Sequence, residues 1–252
     1  MKYKILWIAV LAISLLSCKS QYQISEMRGS IIEIDSTFDN YQHPKMHNLV
    51  HSYKVELDKE MNQVIGFSAQ FMDYKRPESL LTNLTSDVMK IYGDEHLSGS
   101  GSTVISVMNV HGHRATLPQG DVTMGNLYEI YSFDNTITFL ELKGIDLKRI
   151  FDSYAEIGGA GISSNVKLVI KDKKVQSVTI DGKNIDNNKI YNIVTLDYLA
   201  DGNDNMGAFR DALSTDNKGI TLRDLMIDWT REQTRRGNSI ESALDGRITV
   251  EK

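Results

Sequence analysis

Cysteine is almost absent: Cys18 is the only one in 252 residues, so no internal disulfide can form. A surplus of positive charge is missing too. The chain carries 28 Lys and Arg against 33 Asp and Glu, a formal net charge of −5, which gives no reason to propose nucleic acid as a partner, because phosphate neutralisation needs clustered excess Lys and Arg. Any anion site must therefore be local. Beyond residue 16 no apolar run approaches the roughly 20 residues of a membrane-spanning helix. There is no internal repeat, no Ser-His-Asp order and no nucleophile elbow. What remains is 41% hydrophobic and 24% charged residues, the balance of a folded globular chain with a sizeable core.

The first residues carry the clearest pattern. Lys2 and Lys4 precede an apolar stretch from Ile5 to Leu16, and Leu15-Leu16-Ser17-Cys18 follows. The stretch is too short to span a bilayer and has the layout of a signal peptide with a small residue before the cut. Cys18 falls where a bacterial lipobox places its acylated cysteine, an anchor that holds when several acyl chains are attached. Residues 1–17 read as a lipoprotein signal peptide and 18–42 as a lipid-anchored tether with one short strand at Ile31–Ile34. Residues 43–252 read as a single domain. Lys19-Ser20, with no acid after the cysteine, leans towards the outer membrane. The expected location is the cell envelope, lipid-anchored, facing the periplasm or in the outer membrane.

Within the domain, Pro44 suits a first helical turn, and Leu49, Val50, Tyr53, Leu57, Met61 and Val64 recur at helical spacing. Phe67–Phe71 reads as a short strand. Pro77-Glu78-Ser79 opens a second amphipathic helix with Leu80, Leu81, Leu84, Val88, Met89 and Ile91 on one face. Ser98–Ser102 is a flexible turn, and Val104–Met108 is a β-branched run of a buried strand. It exits into the polar Asn109–Arg114, a position where ligand-binding loops are common. Gly120–Thr123 reads as a turn, Leu127–Ile130 as a short helix or strand, Phe133–Leu142 as a strand and Gly144–Tyr154 as a helix. Strands follow at Val166–Ile170, Val175–Ile180 and Tyr191–Leu196, then a glycine- and asparagine-rich loop at Asp201–Gly207. A helix over Leu222–Arg236 stops at Gly237, and Arg247–Val250 closes as a strand. The fold class is α/β (α+β).

Several short segments together form a recognisable order. They are Glu78–Asp87, Asn109–Arg114, Gly120–Thr123, Ser132–Asn135, Leu142–Gly144, and Tyr191–Tyr198 with Gly202–Met206. This order and spacing resemble the C-terminal, substrate-binding domain of the 5'-nucleotidase family, whose motifs include Asn-x-Gly-Gly-Ile-Arg, Pro-Phe-x-Asn and Gly-Gly-Asp-Gly-Tyr. The resemblance runs from about residue 46 to 250. It implies mixed sheets flanked by helices in a layered α-β-β-α arrangement.

It also implies a set of substrate-binding residues. Phe133 matches the family's first stacking aromatic and Tyr198 the second; rings on both faces of a base contribute about 1–3 kcal/mol each. Arg114 matches the motif arginine near phosphate or ribose, where a guanidinium fork suits phosphate. Asn135 and Asp204 match contacts to base or ribose hydroxyls, and Asn109 fits the same loop. Lys75 and Arg76 lie where further basic residues occur, and Gly158, Gly159 and Gly161 correspond to a loop whose backbone nears the nucleoside. This chain departs from the pattern at His111-Gly112-His113, Ser132, Asn203 and Asn205-Met206.

The family's catalytic half is a metallophosphoesterase domain with two metals, about 3.5–4 Å apart in such sites. The series of Asp-x-His, Gly-Asp and Gly-Asn-His-Glu segments that supplies its ligands does not occur here. No catalytic residue, cofactor or metal is therefore expected on this chain, and divalent metal ions are expected only on a partner. His43, His47 and His51 share a helical face and read as solvated; His111 and His113 read as alternating on one side of a loop. The leading expectation is a nucleotide- or nucleoside-binding lipoprotein working with a separate metallophosphoesterase chain. A docking module that has lost ligand binding is the alternative, and a hydrolase using His111, His113 and Asp204 with a metal is a third.

Overall fold

The computed structural model describes residues 22–38, 43–97 and 103–251. Cys18, the signal-peptide segment and the turn at 98–102 lie outside the described residues. Contacts divide the chain at Val50 into Met1–Val50 and His51–Lys252. In the first unit, the described residues 22–35 form no strand. Ile31, Ile32 and Ile34 are exposed, so the short strand expected there is not formed.

Helix α1 (Pro44–Met61) forms where its spacing predicts and stops before Val64. None of its residues is buried; Leu49, Val50, Tyr53 and Leu57 are all more than half exposed. Helical periodicity reports an apolar face, not what covers it.

The second unit is built on three sheets. Strand β1 (Val64–Ser68) pairs antiparallel with β3 (Gly120–Thr123). Gly120–Thr123 is therefore a strand, not the expected turn; its backbone finds partners in β1, and Val122 is fully buried. The five-stranded sheet runs β10-β4-β9-β2-β5, with β2 at Val104–Met108, β4 at Thr136–Lys143, β5 at Gly161–Ile162, β9 at Ile190–Leu196 and β10 at Ser214–Thr221. Only β2–β9 is parallel in it. The four-stranded sheet runs β11-β6-β7-β8, from β6 (Val166–Lys171), β7 (Lys174–Ile180), β8 (Lys183–Asn184) and β11 (Ile248–Glu251). Strand β11 lies parallel to β6. The fold is thus the expected mixed α/β arrangement of sheets and flanking helices.

The remaining helices are α2 (Leu80–Leu97), α3 (Met124–Ile130), α4 (Gly144–Glu156), α5 (Asp197–Ala200) and α6 (Leu222–Arg235). Helix α2 lies on β2, β5 and β9, and α4 lies against strands of both larger sheets. Its Leu147, Ile150, Phe151 and Tyr154 are completely buried. Helix α3 starts at a capping box in which Thr123 and Asn126 satisfy each other's backbone N–H groups, a device worth about 1 kcal/mol. Helix α6 ends before Gly237, whose φ of +74° closes a left-handed cap.

The acidic and amide residues of α2 hold the C-terminal segment. Asp87 takes Arg247 through two bonds of 3.0 and 2.9 Å, and Arg247, only 3% exposed, also binds Asp245 and the Ile162 carbonyl. The Asn83 amide donates to Glu78 and to the Ala243 carbonyl. Glu78, Asn83 and Asp87, which carry part of the family resemblance, therefore act within the scaffold.

Candidate functional site

Strand order brings three separate loops to one end of the five-stranded sheet. Strands β2 and β9 are parallel neighbours, so both exit there. Strand β4 is antiparallel to β9, so its entry lies there too. The pair Ile137–Leu196 marks the sheet end; two positions beyond it on each strand are Asn135 and Tyr198. Ligands of sheets with parallel strands collect outside such carboxyl ends.

The three loops enclose a cleft of about 260 Å³ lined by Asn109, Arg114, Phe133, Asn135, Tyr198 and Asp204. All six binding residues expected from the sequence face this one space, and His111 and Gly112 complete its wall. Phe133 and Tyr198 expose 48% and 40% of their surface, so both rings keep free surface at the cleft they line. The Arg114 guanidinium lies over the Phe133 ring, 5.5 Å from its centroid, close enough for a cation–π attraction.

A hydrogen-bonded bridge crosses the cleft floor. The Asn109 amide donates to Asp204 at 2.7 Å, and the Tyr198 hydroxyl donates to the other Asp204 oxygen at 3.1 Å. The bond to Asp204 and its negative charge push the Tyr198 hydroxyl pKa up. Asp204 and Asn205 have φ of +53° and +64°, a conformation that Asn and Asp tolerate better than other side chains. That is why Asn205 can stand where the family pattern has glycine.

Because Asn109 commits its NH₂ group to a carboxylate, its carbonyl must face the other way. That oxygen is buried and has no partner. A Cβ on Gly112 would come within 2.8 Å of it, so Gly112 keeps this acceptor in place. An unsatisfied buried acceptor costs about 1–3 kcal/mol.

On the other side of the bridge lies an adjoining cleft of about 340 Å³, which shares Asn109, His111 and Asp204 with the first and adds Arg76 and Tyr154. Arg76 donates to the Gly159 carbonyl at 2.9 Å and lies 3.2 Å from His111 Nε2. Of the two basic residues left open by the sequence, Arg76 faces the site; Lys75 pairs with Asp73. Gly159 meets Pro77 and Gly161 meets Met108 and Ser86, so these glycines serve close packing, while Ala160 reaches the adjoining cleft.

His111 and His113 do not share a side of their loop. His111 is exposed at the cleft, but His113 is 1% exposed. Its Nδ1 faces the Val110 carbonyl at 3.1 Å and so carries a proton, and its Nε2 lies 2.8 Å from the Thr85 hydroxyl. Burial pulls its pKa down to about 4. The 3-10 turn at Val110–Gly112 breaks the alternation that an extended loop would have given. Among the described residues, no three His, Cys, Asp or Glu side chains cluster as metal ligands. No helix of the described residues is long and apolar enough to cross a membrane.

Residues 60–211, more than half of the chain, match the family described as 5'-nucleotidase, C-terminal domain. The trifunctional nucleotide phosphoesterase protein YfkN of Bacillus subtilis is 24% identical over 250 residues, which cover 91% of this chain and 16% of that protein. Protein UshA of Yersinia enterocolitica is 31% identical over 103 residues, 39% of this chain and 19% of its own length. Among solved structures, the 5'-nucleotidase precursor from Thermus thermophilus aligns with a TM-score of 0.70 at 23% identity, covering 81% of this chain and 42% of that one. The NAD nucleotidase of Haemophilus influenzae aligns with a TM-score of 0.61 at 18% identity, covering 83% and 41%. The chain thus spans less than a fifth of these curated relatives and about two fifths of these solved structures. With its motif loops gathered on one cleft and its fold shared with these proteins, the chain belongs to the 5'-nucleotidase C-terminal domain family.

Proposed function

We propose that this chain binds a nucleotide or nucleoside in the cleft between Phe133 and Tyr198, as the substrate-holding part of extracytoplasmic nucleotide hydrolysis. The observation that carries this reading is one cleft lined by two half-exposed rings, Phe133 and Tyr198, together with the Arg114 guanidinium. A base fits that combination, because its faces can stack on the rings. Asn135 and Asp204 are placed for the sugar, since each Asp204 oxygen keeps a second lone pair free. Arg114 and Arg76 supply donors for an anionic group. Hydrolysis itself is assigned to a separate metallophosphoesterase chain holding divalent metals, which activate water and clamp phosphate.

Calorimetric titration with adenosine and AMP tests the reading. The wild-type chain binds, and Phe133→Ala weakens binding about 5- to 150-fold, the equivalent of one stacking contact. No heat at millimolar ligand, for either protein, sinks it. The second reading is a docking module that takes no ligand. It is favoured by Asp204, whose two oxygens already accept from Asn109 and Tyr198, and the same titration separates the two. Export and acylation at Cys18 belong to the proposal as well; fatty-acid labelling that persists in Cys18→Ala would refute them.

A further inference from the structure

We propose that Arg223 is a positioning residue that sets the stacking ring Phe133, a role that rests on the ligand reading above. Phe133 sits at the apex of a short segment between α3 and β4, and its half-exposed ring is not fixed there by burial. The segment is instead fastened from α6. Arg223 donates to the Tyr131 carbonyl at 3.1 Å and to the Asp134 carboxylate, and the Leu222 N–H donates to the Asn135 carbonyl at 2.9 Å. Residues 131, 134 and 135 are thus held, with only Ser132 and Phe133 between them.

The guanidinium is held in turn. Its centre lies 4.5 Å from the centroid of the Tyr128 ring, and the side chain is 14% exposed while Asp134 is 81% exposed. The largely covered cation, not the solvated carboxylate, is therefore the rigid end of the clamp. A planar fork can hold a carbonyl and a carboxylate at a fixed angle while stacking on an aromatic face; a lysine ammonium cannot. Arg223 lies outside residues 60–211 that match the family, so the brace comes from a part of the chain that the shared motifs do not include.

The test is a double-mutant cycle read by adenosine titration. Arg223→Met keeps much of the stem over Tyr128 and removes both bonds. It weakens binding by a factor close to that of Phe133→Ala, and the double variant is no weaker than Phe133→Ala alone, because the lost contact is the same one. Asp134→Asn, at an exposed site that leaves folding intact, gives a smaller loss with the same non-additivity. Losses that multiply, or Arg223→Met binding like wild type, overturn the proposal. Should wild type bind no adenosine, the ligand reading fails alone, and hydrogen exchange then decides for Arg223. The amides that tie the ends of the segment, Tyr131 to the Leu127 carbonyl and Leu222 to the Asn135 carbonyl, exchange faster in Arg223→Met if it is the brace, and unchanged exchange rejects it.

Discussion

At the residue scale, His113 and Arg114 are chain neighbours with opposite environments. One is sealed beneath Thr85 and Tyr131, the other exposed over Phe133. The motif picks out Arg114, which lines the cleft, but two histidines separated by one glycine carry no signal for which is inside; that depends on the 3-10 turn. Burial makes His113 an acid sensor of the fold. Its folded pKa of about 4 lies below the ordinary 6.5, so the unfolded chain binds the proton more readily. Stability is full above about pH 6.5, falls as pH drops towards 4 and loses about 3 kcal/mol in all. Denaturant unfolding between about pH 4 and 7 measures this slope. His113→Gln flattens it, and an unchanged slope in the variant would exclude His113 as the cause. Asp245 acts in a lower window: despite the desolvation that opposes it, bonds from Arg247 and Lys167 hold its pKa below the ordinary carboxylate value. Its contribution is present above that value and is lost as pH falls further.

At the scale of elements, legibility followed apolar pattern. Val104–Met108, buried at every position, and α4, with its full apolar stripe, were plain from pattern alone. Strand β10 was not foreseen: Ser-Thr-Asp-Asn-Lys-Gly-Ile-Thr is polar and interrupted by glycine, and it is a strand because the edge of β4 offers it partners. Gly120–Thr123 was missed for a similar reason. Its Thr123 ends β3 and caps α3, so one residue both finishes a strand and starts a helix. Thr123→Ala lowers stability by about 1 kcal/mol, seen as a lower denaturant midpoint with an unchanged slope. Because α3 leads directly into the segment bearing Phe133, adenosine affinity falls with it. A variant of normal stability would show that the capping box contributes nothing.

At the scale of the molecule, the cleft is a product of strand order. Its residues run from Asn109 to Asp204, and only the parallel β2–β9 pair flanked by β4 brings their loops to one end. The motifs revealed membership of the cleft, while periodicity could not reveal the order of strands. If, as proposed, this chain binds the ligand and a separate metallophosphoesterase chain holds the metals, chelation leaves adenosine affinity unchanged and stops phosphate release from a mixture of the two. Affinity that falls on chelation would place a metal here instead. The clamp between Asp87 and Arg247 has a consequence in time. Its partners lie 160 positions apart, and Arg247 is buried only once β11 has joined β6. Contacts of such separation close late and slow folding. During synthesis α2 can fold, but its Asp87 waits without its cation until residue 247 emerges. The fold therefore reaches its protease-resistant state only after β11 has left the ribosome, which keeps everything before it threadable for as long as that segment is still being made.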